Sequence, residues 1–129
     1  MAKKMIFQFK NKPYLTDLQN FLTELFYESL IQNEGFIELV KRRNWVFVAS
    51  PLSKEIFRKR GYNQAEILAR SLGKKLKIQT IDINKINRTF RNVFIVDDVV
   101  KTGRTLQKAS NDLKRRGSRR VYGLILAGS

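Results

Sequence analysis

The sequence predicts an α/β domain: a mainly parallel sheet flanked by helices. Three observations carry this. The runs Val46–Ala49, Val93–Val96 and Val121–Leu126 are continuously apolar, as strands buried on both faces are. Amphipathic helical patterns lie between them, giving a strand–helix–strand order. The 129 residues, 43% of them hydrophobic, suffice for one core without staples. No repeat, low-complexity tract or Pro/Ser-rich linker divides the chain, so a single domain spanning 1–129 is expected.

In chain order, Thr16-Asp17-Leu18-Gln19 reads as a capping box with Thr16 as N-cap. Apolar residues then recur at Leu18, Phe21, Leu22, Leu25, Phe26 and Leu30, one face of a helix. A short second helix is expected over Phe36–Lys41. Val46–Ala49 is a strand cut off at Ser50-Pro51. Asn63 is an N-cap, with Glu66 at the third position and a stripe of Ala65, Leu68, Ala69 and Leu72. Gly73 is the expected C-cap. Leu76–Ile83 reads as a strand whose alternation slips at Gln79-Thr80. Val93–Val96 is a stronger strand. Leu106–Arg116 is helical and stops at Gly117, with basic residues in its last turn. Val121–Leu126 closes the chain as a buried strand.

The chain has 26 Lys and Arg against 11 Asp and Glu, a net charge of +15. Residues 1–40 carry four Lys and five acids; residues 41–129 carry 22 basic residues and six acids. A field of this sign attracts polyanions, either phosphorylated metabolites or nucleic acid, although a solubilising Lys-rich surface would produce the same clusters. There is no Cys and no His. Disulfides, thiolate or imidazole zinc sites, and Cys- or His-based catalysis are therefore excluded. The longest apolar stretch, about Val121–Gly128, is far short of the roughly 20 residues that span a bilayer, so no membrane insertion is expected. The N-terminus has no signal-peptide pattern, and a cytoplasmic location is the expectation.

Val93 to Thr105 carries the chemistry. A buried strand delivers Asp97 and Asp98 to its end, then a polar turn, then a helix. Lys101, Thr102, Gly103, Arg104 and Thr105 offer backbone N–H groups, two hydroxyls and a positive helix end to one anion. Gly103 permits close backbone approach. Carboxylates that accept from vicinal hydroxyls, beside a phosphate cradle, suit a sugar phosphate. In parallel sheets such ligands bind beyond the carboxyl ends of the strands, which here points to residues 50–54 and 97–105.

This segment resembles the phosphoribosyl pyrophosphate binding motif of the type I phosphoribosyltransferases: four apolar residues, two acids, two mostly apolar residues, then a Thr/Gly-rich loop. Lys101 stands where that motif usually has a small residue. Arg60-Gly61-Tyr62-Asn63-Gln64-Ala65 resembles a signature of the ComF family, competence-associated phosphoribosyltransferase-like proteins. Phe9-Lys10 and the helix from Thr16 resemble its lysine-containing hood, and Ser50-Pro51-Leu52-Ser53 its pyrophosphate loop, with Ala49 in place of a usual proline. The resemblance implies a type I phosphoribosyltransferase-like fold with a hood-like segment of about 1–44 and a core of about 45–129.

It also implies a ligand, phosphoribosyl pyrophosphate or another sugar phosphate, taken with Mg²⁺. Asp97 and Asp98 would hold the ribose hydroxyls, or the metal through water; Lys101–Thr105 would cradle the 5′-phosphate. Ser50, Pro51, Leu52, Ser53, Lys54 and Arg60 would face the pyrophosphate. The family association extends the expected partners to single-stranded DNA or the DNA-uptake machinery, and an alternative role is a nucleic-acid-binding accessory on the same scaffold. Two family features are absent: the cysteine zinc ribbon and the long flexible loop. Only Asn84–Asn92 joins the strands where that loop would lie. A nine-residue connection cannot form a long lid, and no residue is an evident general base. The resemblance thus implies ligand binding and leaves turnover and the catalytic residues open.

Overall fold

The computed structural model describes residues 3–9, 18–52, 54–61, 63–97 and 103–128. Four strands form one parallel sheet in the order β1-β4-β3-β2, with β1 at Lys3–Phe9, β2 at Val46–Ala49, β3 at Asn92–Asp97 and β4 at Arg120–Gly128. The helices are α1 (Leu18–Ile31), α2 (Glu34–Arg42), α3 (Lys54–Arg60), α4 (Gln64–Leu76) and α5 (Gly103–Arg115). The predicted α/β architecture is present. No described helix is long and apolar enough to cross a membrane.

β3 lies between two strands, and Val93 to Val96 are fully buried. Alternate residues serve opposite faces. Phe94 and Val96 join Phe26, Phe36, Trp45 and Leu68 under α1, α2 and α4, whereas Val93 and Ile95 meet Leu106 and Leu113 of α5. On the first face Trp45 stacks on Phe94, ring centroids 4.1 Å apart, and its indole N–H donates to Leu39 O at 2.7 Å. Lys75 of α4 pairs with Glu24 of α1, and that hydrogen bond holds the Lys75 ammonium above its ordinary pKa.

α2 begins two residues before the expected Phe36, because Asn33 caps it by accepting from Phe36 N–H at 2.8 Å. α5 begins earlier than expected, at Gly103, and ends before Gly117, whose φ is +109°. The expected cap at Thr16 and the hood lysine Lys10 lie outside the described residues. Strand β1 was not expected: its mixed KKMIFQF sequence shows no clean alternation, and β1 is ordered by pairing in parallel with β4. Residues 54–60, for which the sequence suggested no element, form helix α3.

Two expectations are corrected. Gly73 does not cap α4. The helix continues to Leu76, and Lys77 takes the left-handed position at φ 58°. Ile78 N–H donates to Gly73 O, folding the chain back tightly enough that a Cβ on Gly73 would lie 2.4 Å from Ile78 O. The glycine therefore serves close approach, not chain reversal. Gly73→Ala is expected to destabilise the protein, despite the ~1 kcal/mol that alanine gains in a helix interior, and to lower the urea midpoint. A raised midpoint would remove this account.

Leu76–Ile83 is not a strand. Leu76 ends α4, and Ile83–Lys85 is a 3₁₀ turn. One parallel bridge remains, Phe47 with Thr80: Phe47 N–H donates to Gln79 O, and Ile81 N–H to Phe47 O, each at 2.8 Å. The phase slip at Gln79-Thr80 marks this bridge, where the chain touches the β2 edge and turns away.

Candidate functional site

The carboxyl ends of β2 and β3 lie side by side. Ala49 pairs with Val96, and Ser50 N–H donates to Val96 O at 2.9 Å, directly before Asp97. Neighbouring strands are spaced about 4.8 Å apart, so the predicted 50–54 segment starts one strand from the predicted acidic pair. Asp97 is half-buried at the end of β3 and has an interaction within the fold. Ser50 is buried, Leu52 is half-buried, and Pro51 and Lys54 are exposed. α5 starts at Gly103, six residues beyond Asp97. The structure gives the helical backbone at Arg60, Gly103, Arg104 and Thr105. Ser53, Asp98, Lys101 and Thr102 lie outside the described residues.

Asn63 fastens this corner. Its Oδ1 accepts from Ala65 N–H at 3.0 Å, and its Nδ2 donates to Ser50 O at 3.1 Å. One side chain caps α4 and holds the turn after β2, an arrangement the predicted N-cap anticipated only in part.

A cleft of about 390 Å³ opens beside this turn, between the end of β2 and the Thr80–Ile83 segment bridged to its outer edge. Ala49, Leu52, Ile81 and Ile83 give it apolar walls. Lys54 and Arg58 line it from α3, one helical turn apart, and neither forms an ion pair with the described residues. Arg70, also at the cleft, is engaged with Glu66 at 3.2 Å. Asp82 accepts from Asn84 N–H at 2.8 Å. Sequence reasoning missed Arg58, Arg70 and Asp82. The available signal was the i,i+4 spacing of Lys54 and Arg58, unused because no helix was expected there.

The connection before β3 runs away from this corner. Arg116 Nη1 donates to Asn84 O at 3.2 Å and Ser118 Oγ to Phe90 O at 2.8 Å; Arg119 and Arg120 N–H both donate to Arg91 O. These partners are the end of α5 and the start of β4. Residues 84–91 are thus pinned at the amino ends of the strands, with Ile86 buried against α5. They do not cover the Ser50–Asp97 corner.

The phosphoribosyl transferase domain family matches residues 46–127, from the first residue of β2 into β4. The chain belongs to this family. Comparison with curated proteins gives no match. In this phosphoribosyltransferase domain the match takes in β2, β3 and β4, helices α3 to α5 and the Ser50–Asp97 corner, while β1, α1 and α2 precede it. The four-stranded parallel sheet with helices on both faces is the α/β architecture of a type I phosphoribosyltransferase domain.

Proposed function

We propose that this domain binds phosphoribosyl pyrophosphate, or a related ribose 5-phosphate ligand, with Mg²⁺, and passes the phosphoribosyl group to a nucleophile. The carrying observation is the register of β2 and β3, which sets Ser50 beside the end of β3, directly before Asp97. In this reading Asp97 and Asp98 accept hydrogen bonds from the ribose hydroxyls. Lys101, Thr102, Gly103, Arg104 and Thr105 hold the 5′-phosphate at the start of α5. Ser50, Pro51, Leu52, Ser53, Lys54 and Arg60 face the pyrophosphate.

The donor set fits Mg²⁺. Asp97 carries a hard carboxylate oxygen, the ligand type that Mg²⁺ takes beside water and substrate oxygens. Asp97 and Asp98 would hold it through water, and when bound it would neutralise pyrophosphate charge. In the transfer, the bond from the anomeric carbon to pyrophosphate breaks with its electron pair leaving on oxygen. The nucleophile then supplies the pair for the new bond.

A lid would ordinarily exclude water and bring cations to the leaving group. Here residues 84–91 are held at the other end of the sheet, and we assign the cationic role to Lys54 and Arg58, fixed on α3 beside the pyrophosphate segment. Lys54→Ala with Arg58→Ala is expected to weaken phosphoribosyl pyrophosphate about tenfold, at about 0.7 kcal/mol for each of two solvent-exposed cations. Ribose 5-phosphate, which lacks the pyrophosphate, should bind as before. Isothermal titration with both ligands checks this, and equal losses for the two would refute the assignment.

We further place the domain with the ComF-like proteins of competence and DNA uptake, on the Arg60–Ala65 signature. The test of the binding reading is thermal denaturation with phosphoribosyl pyrophosphate and Mg²⁺. At a hundredfold excess over Kd the protein should gain about 2.7 kcal/mol; no shift at any ligand concentration would end the reading.

A further inference from the structure

Fourteen of the 26 Lys and Arg gather at one end of the molecule, opposite the sugar-phosphate corner. Four segments reach the amino ends of the strands: 40–46 from α2 into β2, 73–79 at the end of α4, 84–92 before β3, and 113–121 from α5 into β4. They hold three, three, three and five Lys or Arg respectively, and no Asp or Glu. The topology forces this convergence. In a parallel sheet every crossover helix returns the chain to the same end, so basic residues placed late in a helix or just before a strand gather there.

Acids from neighbouring elements neutralise some of these cations: Glu24 takes Lys75, Glu38 takes Arg42, and Asp112 takes Arg115 and Arg116. Arg43, Lys77, Arg88, Arg91, Lys114 and Arg119 are exposed and have no ion pair among the described residues. They are distributed across the end of the sandwich. Lys77 lies at the end of α4 on one face of the sheet and Lys114 at the end of α5 on the other, with Arg91 and Arg119 between them beside the starts of β3 and β4. The backbone beneath is well held, by the Arg91 O bonds and by Gly117, which packs against Arg88.

We propose that this end is a docking surface for double-stranded nucleic acid, bound through its phosphates and without sequence preference. Two features favour a duplex over a single strand. Cations on both sides of the sheet match two phosphate rows, where one strand presents a single row. Single-strand binders also stack bases on exposed aromatic rings, and the two aromatic residues of these four segments are withdrawn from solvent: Trp45 is buried and Phe90 is half-buried against the core. The surface is separate from the Ser50–Asp97 corner, so one chain engages two phosphate ligands at opposite ends.

The test measures fluorescence anisotropy with a labelled 20-base-pair duplex and a single strand of the same length. Duplex should bind more tightly than single strand, and its affinity should fall about 10³-fold between 50 and 200 mM salt, as expected for about six phosphate contacts. Arg91→Glu with Lys114→Glu and Arg119→Glu should weaken duplex binding roughly 100-fold at 50 mM salt. That variant should keep the wild-type thermal shift with phosphoribosyl pyrophosphate, which shows it folded. Single strand binding as tightly as duplex would overturn the duplex assignment; duplex affinity unchanged in the folded triple variant would overturn the surface. The sugar-phosphate reading stands or falls separately, on its own thermal shift.

Discussion

The Asp97→Asn, Asp98→Asn double variant is expected to lose nearly all the stabilisation that phosphoribosyl pyrophosphate and Mg²⁺ give the parent domain. The substitution keeps the size of both side chains and removes both charges. Each charge-assisted hydrogen bond to a ribose hydroxyl contributes about 1.5–3 kcal/mol, so losing two weakens binding by roughly 100-fold or more. A ligand concentration that stabilised the parent by about 2.7 kcal/mol then gives only a few tenths. Asp97 already has an interaction within the fold, so the melting temperature of the free variant is measured beside the liganded one. The ligand-induced shift, not the absolute temperature, is the readout. A variant that shifts as far as the parent would show that the carboxylates do not hold the ligand.

Phe94→Ala should be the most damaging single core substitution. Phe94 is fully buried on central strand β3, stacked on Trp45 and packed against Phe36, Phe47 and Tyr122 with ring centroids 5.3–6.4 Å away. Truncation to alanine loses the ring's burial and leaves a cavity that four large neighbours cannot all fill, a cost of about 3–5 kcal/mol. Against a total stability of about 5–15 kcal/mol, that is a large fraction. Phe94→Leu retains most of the burial and forfeits the ring pairs, each contributing about 0.5–1.5 kcal/mol, so its urea midpoint should fall between the other two. A midpoint for Phe94→Ala within 1 kcal/mol of the parent in free energy would mean the aromatic cluster does not organise this face.

The site was legible where its determinants are contiguous. Strand β3, Asp97 at its end and the start of α5 at Gly103 lie in one stretch, and Asn63 announces a helix start through its own side chain. Arg58 escaped notice because its partner feature, the wall formed by Ile81 and Ile83, is more than twenty residues away. Gly73 was misread for a related reason. Its local pattern, a glycine after an amphipathic stripe, fits a C-cap equally well, and only the returning Ile78 carbonyl shows what the missing side chain permits. Strand β1 depends on β4 for its hydrogen bonds, so no local periodicity could identify it.

The sequence alone determined three of the four strands, the alternation with helices and the lack of thiol and imidazole side chains. Each depends on hydrophobic run length, side-chain chemistry or neighbours within a few residues. The tertiary structure decided which strand ends adjoin, that 84–91 runs away from the site, and that fourteen basic residues from four distant segments share one end. Those are properties of long-range pairing. Parallel strands hydrogen-bond only after a crossover of a dozen or more residues, so the neighbours that define both ends of this molecule come from segments far apart in the chain.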